Sequence, residues 1–120
     1  MEKTITIDGR EVKFKSAGGT LMRYRNQFNR EFMNDFALLA AMRKGDTTGA
    51  SFALVDNMVW ALAKTADPSI PDPQTWYDSF SEINTMELWE ELAELVAETL
   101  KPMIKHMAKN VKAAAGQTTD

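Results

Sequence analysis

Polar and apolar residues alternate through Thr4-Ile5-Thr6-Ile7 and again through Glu11-Val12-Lys13-Phe14-Lys15. A period of two is the signature of strands with one covered face. Asp8-Gly9, which separates the two runs, supplies the pair of positive φ angles that a type I′ turn requires. The pattern predicts a β-hairpin over residues 3–15 with Ile5, Ile7, Val12 and Phe14 on one face. A lone hairpin is marginally stable in water, so that face must cover helices.

The period then lengthens. Ser16-Ala17-Gly18-Gly19 ends the strand, and Thr20 is expected to cap a helix whose Leu21, Tyr24 and Phe28 share one face. Asn29 tolerates the left-handed conformation and is a candidate stop. Beyond it, Phe32, Met33, Phe36, Leu39 and Ala40 form a stripe over Arg30 to Lys44. Helix is therefore expected over about 20–44, either broken at Asn29 or continuous through it. Gly45 to Gly49 reads as a loop, and Ser51 as the cap of a helix over 51–66. Phe52, Leu54, Val55, Met58, Val59, Trp60 and Leu62 cover most of that helix's circumference, which places it at the centre of the fold.

Asp67 to Pro73 holds three prolines and reads as a stiff connector. A short helix over about 74–81, anchored by Trp76, Tyr77 and Phe80, is expected next. Asn84 with Glu87 matches an N-cap followed by a first-turn carboxylate. The last helix is expected over 85–112, because Leu88 or Trp89, Leu92, Val96, Leu100, Met103, Met107 and Val111 keep one phase. Pro102 lies inside that stripe and predicts a kink or a restart. Residues 113–120 read as a loose tail. The expected architecture is α+β and predominantly α-helical: an N-terminal two-stranded β-hairpin packed on a bundle of about four to five helices, in a single domain over 1–112.

Composition narrows the function classes. The 120 residues are 44% hydrophobic and 26% charged with a net charge of −3, the balance of an ordinary globular domain. The acidic total argues against binding nucleic acid through overall charge. No cysteine is present, which excludes disulfides and thiolate metal sites. Glu2 and Lys3 open the chain with no apolar run behind them, unlike a secretory leader. The longest uncharged apolar run, Phe36 to Met42, is far short of the ~20 residues of a spanning helix. A soluble intracellular protein without membrane contact is expected.

Candidate chemistry is sparse. His106 is the only histidine, and catalysis would need a partner nucleophile or carboxylate beside it. Glu87, Glu90, Glu91, Glu94 and Glu98 lack the Glu-x-x-His companions of a di-metal bundle site and read as a solvated acidic face. Arg23, Arg25 and Arg30 surround Tyr24 and Phe28, a pattern that binds nucleic acid only if those aromatics are exposed. No enzyme activity, cofactor or metal is expected.

The final helix is more informative. Its first half is acidic, and its second carries Lys101, Lys105, Lys109 and Lys112. That order complements the helix dipole and suits either docking on the chain's own core or antiparallel self-association. Eight methionines supply flexible, polarizable side chains that accept varied apolar partners. The candidate partner-binding or self-association surface is Leu100, Met103, Ile104, Met107 and Val111.

The run Thr4 to Phe14, followed by Thr20-Leu21-Met22-Arg23-Tyr24-Arg25-Asn26-Gln27-Phe28-Asn29-Arg30-Glu31-Phe32 and the later Thr75-Trp76-Tyr77-Asp78-Ser79-Phe80, resembles the small tail assembly chaperones of long-tailed phages and prophages of Gram-positive bacteria. The resemblance extends to about Leu100, with Asn29 where such proteins often have glycine. It implies a protein that binds the tape measure protein, keeps it soluble and helps tail tube subunits assemble around it. It also implies a location in the host cytoplasm during assembly and absence from the mature virion. The rival expectations are a head–tail connector or adaptor that stays in the particle and, after it, a small DNA-binding regulator.

Overall fold

A computed structural model describes the backbone of residues 1–41 and 49–117 and the side chains of 1–41 and 52–106. The protein is α+β and mostly helical, with one antiparallel hairpin, β1 (Glu2–Ile7) and β2 (Arg10–Lys15), packed against helices. Ile5 lies opposite Val12, and Ile7 opposite Arg10. The two-residue turn between them has φ of 54° at Asp8 and 75° at Gly9, as a type I′ turn demands. Phe14, Val12 and Ile7 are buried and Ile5 partly so, so the inner face is the expected one.

Helix α1 (Thr20–Phe28) ends at Asn29 in the left-handed region, φ 54° and ψ 38°. The break is therefore real, and α2 (Phe32–Ala41) starts anew. Thr20 does not cap α1. Gly19 holds the cap position, and Thr20 Oγ1 instead accepts from the Ala17 amide and hydrogen-bonds Thr65 Oγ1 at 3.0 Å. On α2 the stripe is also shifted: Ala40 is exposed, while Asp35 is buried beside Phe32. Lys44 and the expected loop up to Thr48 lie outside the described residues.

Helix α3 (Gly49–Ala66) begins before Ser51, so that serine sits inside the helix and not ahead of it. Val55, Met58, Val59, Trp60, Ala61, Leu62 and Ala63 are all buried, and α3 packs on β2, α1, α2 and α5. It is the axis of the core, as its apolar circumference requires. It also pins the proline connector. Trp60 Nε1 donates to Pro71 O at 2.9 Å, and Lys64 Nζ donates to the carbonyls of Pro68 and Ile70.

Helix α4 (Pro73–Asp78) is shorter than 74–81 and starts earlier, with Pro73 at its first turn. Asp72 caps it, accepting from the Thr75 amide at 3.1 Å, the arrangement in which proline's missing N–H costs nothing. Asn84 caps α5 (Thr85–Glu91) through the Glu87 amide at 3.2 Å, as predicted. The expected single helix over 85–112 is in fact two. The chain turns at Leu92, φ −94° and ψ 6°, and α6 runs from Ala93 to Gln117. Lys3 Nζ reaches across from β1 to the Glu91 carbonyl at 2.8 Å, satisfying an acceptor that the break leaves free.

No break occurs at Pro102, which lies within α6. Its surroundings are exposed, so water can solvate the carbonyl that its missing N–H strands. Helix α6 extends through residues 113–117.

Both tyrosines of the chain are held protonated. Burial and the neighbouring Asp35 raise the Tyr24 phenol, and burial with nearby Asp56 raises Tyr77. A raised folded-state pKa means that the stabilisation is complete below the ordinary phenol value near 10 and is lost as pH rises above it. An alkaline titration is therefore expected to show no phenolate absorbance with an ordinary midpoint. Phenolate should instead appear together with loss of helix by circular dichroism, and a phenol titrating normally in folded protein would contradict the packing.

Candidate binding surface

Helix α6 has 25 residues, a length of about 37 Å at 1.5 Å per residue. Its first two turns belong to the core: Leu92 just before it, then Leu95, Val96, Thr99 and Leu100, are buried. Thr99 Oγ1 hydrogen-bonds Ser16 Oγ at 2.8 Å and donates to Leu95 O, which fastens the strand exit of β2 to α6. From Lys101 to His106 every residue is exposed. The helix has left the body. A Cα radius of gyration of 16.1 Å and extents of 61 × 30 × 24 Å express this, since a compact chain of this length has a radius near ~14 Å.

The candidate residues therefore divide. Leu100 is 2% exposed and is corrected from surface to core, because one turn of α6 still faces the body there. Met103 at 38% and Ile104 at 52% are open to solvent. Met107 and Val111 lie outside the residues whose side chains are described. Met103 follows Val96 and Leu100 at helical spacing, so it prolongs the buried stripe past the body's edge. Ile104 turns towards a groove of about 640 Å³ lined by Met1, Glu94, Ala97, Glu98, Lys101 and Lys105. Met1, at 58% exposed, is a contributor that helix periodicity gave no means of finding.

Burying an apolar side chain of this size fully stabilises by about 1.5–3 kcal/mol. Two half-exposed ones fall well short of the ~8 kcal/mol of micromolar binding, so a partner must engage more of α6 than this pair. Met22 and Leu38 are also exposed, on α1 and α2, and single apolar residues of that kind are common on protein surfaces.

The other sequence candidates resolve differently. Tyr24 is fully buried and Phe28 half-buried; their rings meet at 5.0 Å, and Phe28 meets Trp60 edge-on at 5.5 Å. Neither is free to stack on a base. Arg25 pairs with Glu31 at 2.6 Å, and Arg30 pairs with Asp35 at 2.6 Å. Glu87, Glu90, Glu91, Glu94 and Glu98 are exposed. Among the described residues, no group of His, Asp or Glu is arranged to hold a metal ion, and no helix is long and apolar enough to cross a membrane. His106 is exposed on α6.

A polar set that sequence reasoning missed anchors the hairpin. Asp8 accepts from the Ser81 amide at 2.9 Å and from its hydroxyl at 2.8 Å, and these bonds hold its carboxyl below the usual carboxylate range. Arg10 donates to Ser79 Oγ at 2.9 Å and lies 3.8 Å over the Phe80 ring. Neither family models, curated proteins nor solved structures offer a match to the chain.

Proposed function

We propose that this chain is a tail assembly chaperone of a long-tailed phage or prophage: it binds the tape measure protein, keeps it soluble and promotes assembly of the tail tube around it. The observation that carries the reading is the apolar stripe of α6, buried as far as Leu100 and continued into open solvent by Met103. A projecting amphipathic helix is the form in which a protein offers apolar residues to another helix, at i, i+3, i+4 and i+7 positions. A tape measure protein is long and helical, and presents such stripes repeatedly. The resemblance in the hairpin, in Arg23-Tyr24-Arg25 with Phe28, and in Thr75 to Phe80 supports the same assignment. Work of this kind belongs in the host cytoplasm before the particle is complete.

Co-expression with the tape measure protein tests it. The wild-type chain is expected to keep that protein in the soluble fraction and to co-purify with it. Met103→Glu, which places a charge on the exposed stripe and leaves the core intact, is expected to abolish both. Unchanged co-purification would remove α6 from the reading. Recovery of the chain in purified virions would favour a head–tail connector instead.

A further inference from the structure

We infer that two copies of the chain pair through α6 in antiparallel orientation, about a two-fold axis passing between positions 101 and 102. The face of α6 around the Met1 groove carries Glu94, Ala97, Glu98, Lys101, Ile104 and Lys105, all exposed. Its charges are segregated, with glutamates before position 101 and lysines from there on. The segregation has a register. Positions 98 and 105, and 94 and 109, are each symmetric about the point between 101 and 102, and each pair is a glutamate and a lysine.

These four positions, all on α6, also share one side of the helix. At about 100° per residue they fall within roughly 60° of arc, beside the strip that holds Ala97 and Ile104. Charged residues flanking an apolar strip are what set orientation in paired helices. Antiparallel pairing brings each Glu98 to the second copy's Lys105, and the reverse by symmetry. Parallel pairing in register would set glutamate on glutamate and lysine on lysine. Ala97 is small enough for the backbones to approach closely where Ile104 and Met1 are covered.

Met103 lies about 120° or more from Glu98 and Lys105 around the helix, so the pairing leaves the exposed stripe open. It therefore holds or fails independently of what Met103 binds. Exposed ion pairs contribute little each, and their role here is to choose orientation.

Sedimentation velocity at low salt tests the assignment, with circular dichroism to confirm that each variant is folded. The wild type is expected to show a concentration-dependent dimer. Glu98→Lys or Lys105→Glu alone converts two attractive contacts into two repulsive ones and should weaken the dimer by roughly tenfold. The double variant Glu98→Lys with Lys105→Glu should recover it, and an equimolar mixture of the two single variants should form the heterodimer. A wild type that stays monomeric at all concentrations, a dimer indifferent to the single reversals, or a double variant no better than the singles would each overturn the pairing.

Discussion

Alanine at Phe14 is expected to lower the unfolding free energy by about 3–5 kcal/mol, a large share of the ~5–15 kcal/mol that a domain possesses. Phe14 is fully buried, and β2 is the strand that packs on α3. Removing the ring deletes the main apolar attachment of the hairpin and opens a cavity beside the central helix. Urea unfolding should show a lower midpoint with little change in slope. Ile5→Ala provides the contrast: Ile5 is only partly buried, and its loss should be clearly smaller. Equal losses at the two sites would mean that the hairpin does not dock through Phe14.

Removing the carboxylate of Asp35 should be the second large effect. Asp35 is 1% exposed, accepts the Tyr24 hydroxyl, and is clasped by Arg30 through Nε at 2.9 Å and Nη2 at 2.6 Å. In Asp35→Ala the guanidinium, half open to water, can rehydrate, whereas the Tyr24 hydroxyl is left buried beside an apolar methyl. A stranded donor of that kind costs about 1–3 kcal/mol, and the emptied space adds to it. Tyr24→Phe removes the donor itself. The double variant should therefore cost measurably less than the two single variants together. Strict additivity in thermal or urea unfolding would show that hydroxyl and carboxylate are not coupled.

The cluster also marks where sequence reasoning stops. The hairpin register was legible because strict alternation admits one pairing and Asp8-Gly9 admits one turn. Helix α3 was legible because a helix apolar on nearly every side has only one place to go, whereas Asn29 was legible only as a candidate stop, since Asn tolerates a left-handed backbone without requiring it. Asp35 was not legible, since a carboxylate on an apolar stripe looks like the edge of that stripe until its partners are known. The break at Leu92 was hidden for a related reason. Leu92 is completely buried, so the apolar phase runs through it and records burial, not continuity of the backbone. Of the two outcomes expected at Pro102 the restart does not occur, because a proline in the exposed part of a helix strands a carbonyl where water is present.

The candidate surface was half legible. Amphipathic spacing identified the stripe on α6, but the point at which it passes from core to solvent, between Leu100 and Met103, depends on where the body ends. Neither the reach of Met1 to α6 nor the Ser16–Thr99 bond has a local signature. Both are products of tertiary placement.

The bonds that hold the hairpin have a consequence for the order of events during synthesis. Its partners lie far along the chain: Asp8 to Ser81 spans 73 residues, Ser16 to Thr99 spans 83, and Lys3 to Glu91 spans 88. At ~5–20 residues per second of translation, the strands leave the ribosome several seconds before α4 and α6 exist to receive them. A hairpin alone does not hold, so its apolar face stays open until α3, on which β2 packs, has been made. The hairpin's apolar docking can therefore precede its polar ties, which are completed only when residues 81, 91 and 99 arrive.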